Sequence, residues 1–168
     1  MNDFFSDVKL AQKGSTEAFA RLYESVYKDM YHIALYSLRN SHDAADTVSD
    51  TVLDAFCSIK KLREPSLFRS WIMKILSAKI KQKQHEYYAA AEELEDANII
   101  DTFDFESAEL KEALDKLDGE SRLLLSMSVL GGYTSDEIAG ICSVKAGTVR
   151  SKLSRIKERL RLELTPEI

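Results

Sequence analysis

The sequence predicts an all-α protein with two small helical domains, a helical bundle and a helix-turn-helix, joined by an acidic linker. Apolar residues recur at spacings of three and four along most of the chain, which is the period of an amphipathic helix. Only two prolines and six glycines occur in 168 residues, so long helices meet few breakers. The helical period is lost once, in an acidic stretch near the middle of the chain, and this stretch divides the helices into two groups.

The N-terminal group is predicted to contain four helices. Gly14 and Ser15 mark the start of the longest one, with Ser15 as its N-cap. Residues 40–42 separate the second helix from the third, and Pro65 with Ser66 ends the third and starts the fourth. The four predicted helices span about residues 3–12, 16–39, 43–62 and 66–87.

The third predicted helix has two different faces. Its core face is predicted to consist of the apolar side chains Ala45, Val48, Val52, Ala55, Phe56 and Ile59. The opposite face carries Asp46, Asp50 and Asp54, whose spacing of four places like charges in one strip. Such a strip costs folding stability, so we interpret it as an exposed docking face rather than as a pair of catalytic carboxylates.

Charge is segregated along the chain, although the net charge is only −5. Residues 60–85 and 145–163 are dominated by Lys and Arg, whereas residues 86–109 carry Asp and Glu without any Lys or Arg. Two basic blocks separated by an acidic one predict two surfaces that face a polyanion, with a spacer between them. The alternative is that these charges only solvate helix faces.

The C-terminal group contains a predicted helix-turn-helix. One helix starts near Glu106, and Asp118 is predicted to cap the next. Thr134 and Glu137 have the spacing of a capping box, in which each side chain accepts a hydrogen bond from the other residue's backbone amide. After a short turn, a strongly basic helix begins near Ala146. Two helices joined in this way, with the second one basic, are typical of DNA-binding proteins.

The basic helix presents a face suited to DNA. A stripe of apolar side chains fixes the opposite, core-facing side through the helical period: Val149, Leu153, Ile156 and Leu160. The outer face carries small residues at its centre and longer polar ones at its flanks: Gly147, Ser151 and Ser154, then Thr148, Arg150 and Arg155. Small residues let a helix approach base edges closely, and arginines pair with guanine edges or phosphates.

These segments resemble a known family, the extracytoplasmic-function (ECF) sigma factors of bacterial RNA polymerase. Residues 113–164 resemble sigma region 4, with Glu137-Ile138-Ala139 and the run from Gly147 to Leu153 as its landmarks. Ser143 stands where a glycine is usual at the turn of that region, and Lys145 stands where a serine is usual.

The N-terminal half is similar to sigma region 2 of the same family. The resemblance rests on three segments, EAFARLY at 17–23, DAADTVSDTVLDAF at 43–56 and FRSWIMKI at 68–75. It implies a domain organisation of region 2 at 1–88, an acidic linker at 89–105 and region 4 at 106–168.

The resemblance also implies a function and its partners. Region 2 is expected to dock on the beta-prime coiled coil of core RNA polymerase and to open the minus-ten promoter element. Region 4 is expected to read the minus-thirty-five element and to contact the beta flap. Control by an anti-sigma factor, in some cases membrane-bound, is a further expectation.

Site residues follow from the positions that match the family. The polymerase-docking residues are expected to be Asp46, Asp50, Leu53 and Asp54. The DNA contacts of region 2 are expected to be Lys60, Lys61, Arg63, Trp71, Lys74, Lys79, Lys81 and Lys83. The DNA contacts of region 4 are expected to be Thr134, Lys145, Gly147, Thr148, Arg150, Ser151, Ser154 and Arg155. For Trp71, core packing is the alternative role, because it lies on the apolar stripe of its helix.

Two other function classes remain as alternatives. A LuxR-like transcriptional regulator would use only the C-terminal helix-turn-helix and would dimerise on a palindromic site. A helical adaptor would use the basic helix to dock an acidic partner and would show no salt-dependent affinity for DNA. An enzyme is not expected, because the three histidines form no triad or ligand spacing and no phosphate-binding loop occurs.

The remaining expectations concern cofactors, redox state and location. Cys57 and Cys142 are far apart, form no zinc motif and are both predicted to be buried and reduced. No cofactor is expected. The sequence has no run of about 18 apolar residues, so we expect a soluble, cytoplasmic protein that does not insert into the membrane.

Overall fold

The computed structural model describes residues 4–93 and 108–164, and all regular secondary structure within them is helical. The N-terminal half contains α1 (Phe4–Gln12), α2 (Thr16–Leu38), α3 (Ser41–Ser58) and α4 (Phe68–Glu93), with 3-10 turns at Ile59–Lys61 and Pro65–Leu67. The C-terminal half contains α5 (Ala108–Asp115), α6 (Gly119–Val129), α7 (Ser135–Cys142) and α8 (Ala146–Leu164). The predicted all-α fold class is confirmed.

Side-chain caps define where several helices begin. The Ser15 hydroxyl accepts a hydrogen bond from the Ala18 amide at the start of α2. The Asp118 carboxylate accepts one from the Ser121 amide at the start of α6, at 2.7 Å. These caps satisfy amides that have no partner inside the helix. Hydrogen bonds from Ser121 also lower the pKa of Asp118, so its charge is kept at the positive end of α6.

The fourth helix is longer than the sequence predicts. Residues 89–93 were assigned to the linker, but they continue α4, because the alanines at 89–91 are strong helix formers. The rest of the predicted linker, residues 94–105, lies outside the described residues. The domain boundaries therefore stay a prediction.

The predicted core face of α3 was partly wrong. Ala45 and Phe56 are exposed, whereas Thr47 and Thr51 are buried. The reason is that α3 packs against both α2 and α4, so its buried arc turns towards the threonines. The Thr51 hydroxyl donates to the Thr47 carbonyl oxygen at 2.7 Å, which removes the cost of burying it.

The prediction for the two cysteines was right for one of them. Cys142 is buried at the end of α7, but Cys57 is exposed on the outer side of α3. Helical phase explains this, because Cys57 lies nine residues from the buried Val48 and so on the opposite side of the helix.

The two halves of the chain pack on one continuous core. Helix α2 contacts α6, and α4 contacts α7, so buried side chains of both halves belong to the same cluster. Leu22 and Ile72 from the first half, and Leu123 and Ile138 from the second, are fully or almost fully buried in it. None of the described helices is long and apolar enough to cross a membrane.

Candidate DNA and polymerase interfaces

The helix-turn-helix is built from α7 and α8. Thr134 and Glu137 form the predicted capping box, with each side chain 3.2 Å from the other residue's amide nitrogen. The turn passes through Ser143, whose backbone is left-handed with φ 58°. The Ser143 amide donates back to the Ala139 carbonyl oxygen and ends α7 before α8 starts at Ala146.

The left-handed backbone at Ser143 leads to a prediction about stability. Glycine adopts this conformation without the clash of a Cβ atom, so Ser143→Gly is expected to raise the free energy of unfolding by roughly 0.5–1 kcal/mol. Urea denaturation measures the change. The control is Ser151→Gly inside α8, which should lower stability by about as much. If Ser143→Gly lowered the free energy of unfolding, the left-handed backbone at Ser143 would not be a source of strain.

The outer face of α8 has the predicted composition. Val149, Leu153 and Ile156 are buried against the rest of the protein, so the helix is fixed in its rotation. Thr134 is exposed at the start of α7, which it caps. All eight residues predicted to contact DNA in region 4 are exposed: Thr134, Lys145, Gly147, Thr148, Arg150, Ser151, Ser154 and Arg155.

Other basic residues of α8 turn away from this face. The Lys152 ammonium lies 2.6 Å from a Glu120 carboxylate oxygen on α6. Lys157 donates to the Ser128 hydroxyl at 3.4 Å, also on α6. Basic charge on α8 is therefore divided between inward contacts that orient the helix and an outward group around Arg150 and Arg155.

An acidic neighbour of Arg150 escaped the sequence analysis. A guanidinium nitrogen of Arg150 lies 3.3 Å from a carboxylate oxygen of Asp136 on α7, and both side chains are mostly exposed. An exposed pair of this kind contributes little to stability. It holds Arg150 beside the outer face while leaving it able to exchange Asp136 for another acceptor.

The basic residues predicted for region 2 fall into two groups. Lys60, Lys61, Arg63 and Lys74 are exposed, and Trp71 is half-buried at the edge of the core. These five side chains lie on the α3–α4 connection and on the first turns of α4.

The other three predicted lysines already have partners within the protein. Lys79 lies 2.8 Å from an Asp54 carboxylate oxygen, and Lys83 lies 3.5 Å from Glu86. Lys81 donates to the backbone carbonyl oxygen of Cys142, at the end of α7. Lys79, Lys81 and Lys83 are therefore not part of the exposed basic group formed by Lys60, Lys61, Arg63 and Lys74.

The acidic strip of α3 is exposed as predicted, but its members differ. Asp46 and Asp50 have no ion-pair partner among the described residues, whereas Asp54 is bound by Lys79. Leu53, which is 63% exposed, lies within the strip, and Phe56, 45% exposed, follows one turn later. The spacing of Phe56 also fits the core face of α3, so the sequence alone does not assign this side chain to the exposed surface.

Comparison with known proteins identifies the two halves. Residues 22–84 match the family model for sigma-70 region 2, and residues 107–160 match the model for sigma-70 region 4. The two matches together cover well over half of the chain. They include α3 with its acidic strip, most of α4, the whole of α7 and most of α8.

Curated relatives align with most of this chain. The RNA polymerase sigma factor SigV of Bacillus subtilis (strain 168) is 27% identical over 144 residues, which cover 83% of this chain and 87% of SigV. The ECF RNA polymerase sigma factor SigW of the same organism is 24% identical over 177 residues, covering 94% of each chain.

Solved structures share the fold. CnrH in complex with the cytosolic domain of CnrY matches with a TM-score of 0.74 and 21% identity, over 96% of both chains. The sigma factor RpoE in complex with the anti-sigma factor NepR from Bartonella quintana matches with a TM-score of 0.74 and 19% identity, over 89% of this chain and 98% of RpoE. With both regions matched in order along the chain, this protein belongs to the sigma-70 family and is a sigma factor of its ECF group.

Proposed function

We propose that this sigma factor binds core RNA polymerase through the acidic strip of α3 and recognises promoter DNA through α8 and the α3–α4 connection. The single observation that carries the proposal is the outer face of α8, where small residues are flanked by Arg150 and Arg155 on a helix fixed by its buried side. The protein would act in the cytoplasm, where the polymerase and the promoter are, and not as an enzyme.

The outer face of α8 fits the major groove of the minus-thirty-five element. Gly147, Ser151 and Ser154 lack bulk, so the helix axis can come close to the base edges. Arg150 is placed for a bidentate contact to guanine, and Arg155 for a guanine or a phosphate. Thr134, at the start of α7, lies at the end of the helix that crosses the DNA backbone in this arrangement.

The exposed group of region 2 fits single-stranded DNA at the minus-ten element. Lys60, Lys61, Arg63 and Lys74 supply cations for the phosphate backbone, and half-buried Trp71 lies one turn before Lys74 on α4. An aromatic side chain next to a basic surface stacks on unpaired bases without strong sequence preference. Lys79, Lys81 and Lys83 have a smaller part in this contact, because their partners lie within the protein.

The α3 surface fits a basic partner helix of the polymerase, the beta-prime coiled coil. Asp46 and Asp50 supply charge that is not neutralised within the described residues, and Leu53 with Phe56 supplies apolar area beside it. Interfaces of this kind combine a desolvated apolar centre with charges at the rim that speed association.

A second apolar surface fits the beta flap. A groove of about 480 Å³ runs along region 4 and is lined mainly by Leu114, Leu125, Val129, Leu130, Leu160 and Leu164. Lys157 of α8 and Tyr36 of α2 also line this groove. An amphipathic helix that lays its apolar side into such a groove is a common form of protein recognition.

An anti-sigma factor is the remaining proposed partner. Support comes from RpoE, whose matching structure was solved in complex with the anti-sigma factor NepR.

In vitro run-off transcription tests the proposed function. Core RNA polymerase with this protein is expected to yield discrete transcripts from a subset of genomic fragments, and core polymerase alone is expected to yield none from them. A chain that neither binds core polymerase nor directs any transcript, yet binds a palindromic DNA site as a dimer, would instead be a regulator of the LuxR-like kind.

A further inference from the structure

Helix α1 lies against the α3–α4 connection, which the proposed function assigns to unpaired promoter DNA. The Gln12 side-chain amide donates to the Ile59 and Leu62 carbonyl oxygens at 3.0 and 2.7 Å. At the other end of α1, the Phe4 ring packs edge-on against the Phe68 ring, with 5.4 Å between the ring centroids. Helix α1 therefore contacts the connection near the end of α3 and again near the start of α4.

Other contacts fix the rotation of α1 about its axis. The Asp7 carboxylate lies 2.7 Å from an Arg21 guanidinium nitrogen on α2, and Val8 and Ala11 are buried in the core. The residues that match the sigma-70 region 2 model begin at residue 22, after the end of α1. The family match therefore assigns no role to this helix.

The side of α1 that faces the connection carries an exposed aromatic ring and a cation. Phe5 precedes Gln12 by about two helical turns, so both side chains leave the same side of the helix. Phe5 is 47% exposed, and the Lys9 ammonium lies 4.3 Å from the centroid of its ring. Leu67, on the 3-10 turn that α1 contacts, is also exposed. Helix α1 thus adds apolar area and positive charge beside the connection.

The charge of the connection has the same sign as that of the exposed side of α1. The exposed cations of the connection are Lys60, Lys61 and Arg63, and Glu64 is the one acidic residue between positions 59 and 67. Lys9 adds a further exposed cation from α1. The two elements together form a surface on which cations outnumber anions, and such a surface attracts a phosphate backbone.

We propose that α1 extends the single-strand-binding surface of region 2. Phe5 stacks on an unpaired base of the strand that the α3–α4 connection holds, and Lys9 contacts a phosphate next to that base. This inference rests on the proposed function, because the strand becomes unpaired only when the holoenzyme opens the promoter.

The combination of Phe5 with its surroundings carries the inference. A single exposed apolar side chain is common on proteins and has no meaning by itself. An aromatic ring between a cation and a basic segment is the arrangement that binds single strands, because unpaired bases offer their faces for stacking while the cations hold the phosphates. The contact between Lys9 and the Phe5 ring is weak at an exposed site, so a base can replace it.

Leu10 provides a matched control on the same helix. It is 43% exposed, close to the 47% of Phe5. It lies about 200° around the helix from Gln12, so it leaves the side of α1 away from the connection. Substitution of Leu10 therefore removes a similar apolar area from α1 without touching the proposed binding surface.

The first experiment locates the side chain of Phe5 relative to the DNA. The photoreactive residue p-benzoylphenylalanine is placed at position 5 or at position 10, and holoenzyme is assembled on a fragment that yields a run-off transcript. Position 5 is expected to cross-link to one DNA strand, and only in complexes whose thymines react with permanganate. Position 10 is expected to give no cross-link to DNA. A cross-link from position 5 to polymerase subunits alone, or to closed duplex DNA, would overturn the proposal.

The second experiment measures how long the open complex survives a heparin challenge. Phe5→Ala is expected to shorten its lifetime by at least about fivefold, the lower limit for the loss of stacking on one base. Phe5→Trp should restore the lifetime because it restores a stacking ring, and Leu10→Ala should not change it. Lys9→Met should reduce the salt dependence of DNA binding by about one ion. Circular dichroism checks that each variant is folded.

The outcomes separate this inference from the proposed function. A wild-type holoenzyme that opens promoters with the same lifetime as Phe5→Ala would overturn the role of α1 and leave the proposed function standing. Equal losses from Phe5→Ala and Leu10→Ala would also overturn it, since the effect would not depend on the side facing the connection. A wild-type protein that opens no promoter with core polymerase would overturn the proposed function and this inference with it.

Discussion

Replacing both Asp46 and Asp50 with lysine is expected to abolish co-purification of the protein with core RNA polymerase while leaving its helical fold intact. Both carboxylates are exposed, and neither is in an ion pair among the described residues. Neither carboxylate therefore stabilises the fold through an ion pair that the substitution would remove. Like charges four residues apart cost a helix a few tenths of a kcal/mol, and two lysines repeat that cost without increasing it.

The expected effect on binding is large because each substitution reverses a charge. Placing lysines opposite a basic partner costs roughly 3–4 kcal/mol for the pair, which raises Kd about several hundredfold. Co-purification with core polymerase measures the loss, and circular dichroism checks the fold. Asp54 is left unchanged, since its ion pair with Lys79 would confuse a loss of docking with a loss of packing between α3 and α4.

The control applies the same charge change at a different place. Glu112→Lys with Glu158→Lys alters two exposed carboxylates of region 4 and should leave polymerase binding through α3 unaffected. A folded Asp46→Lys/Asp50→Lys protein that binds core polymerase as tightly as the wild type would show that the docking face lies elsewhere. The assignment of α8 to DNA would not be touched by that result.

Arg150→Ala is expected to reduce promoter use by the holoenzyme and to relax the base preference at one position of the minus-thirty-five element. A bidentate contact to guanine contributes about 1–3 kcal/mol of discrimination, which corresponds to roughly 5- to 150-fold in promoter use. The side chain is exposed, and among the described residues it pairs with Asp136 in a weak surface contact, so its removal should not disturb the fold. Competitive run-off transcription from promoters that differ at single positions measures both effects.

Arg155→Ala separates base reading from phosphate contact on the same helix. If Arg155 contacts phosphate, its loss should weaken all promoters alike and reduce the salt dependence of binding by about one ion. Lys157→Ala is the control for the salt dependence of DNA binding, because it removes the same charge from a side chain that faces Ser128 on α6 and not the outer face of α8. Unchanged transcription with both arginine variants would mean that the outer face of α8 does not lie in the groove.

The sequence was sufficient to predict those features of the structure that depend on residues close together along the chain. The N-caps at Ser15 and Asp118, the capping box at Thr134 and the outer face of α8 all follow from residues within about one or two helical turns. The fold class and the family follow from the same local patterns taken in order. The acidic strip of α3 was also predicted, since charges at every fourth residue share a face in any helix.

Tertiary structure alone decided which of these residues are available to a partner. Four lysines of α4 look alike in the sequence, but only Lys74 is exposed. Lys79 binds Asp54, Lys81 caps the end of α7, and Lys83 binds Glu86. Likewise, Phe56 fits a core stripe by its spacing and Cys57 was expected inside, but both are exposed because α2 and α4 cover another arc of α3. The contact of Lys81 joins residues 61 positions apart. No periodicity in the sequence signals such a pair, because only the packing of one helix on another brings the two groups together.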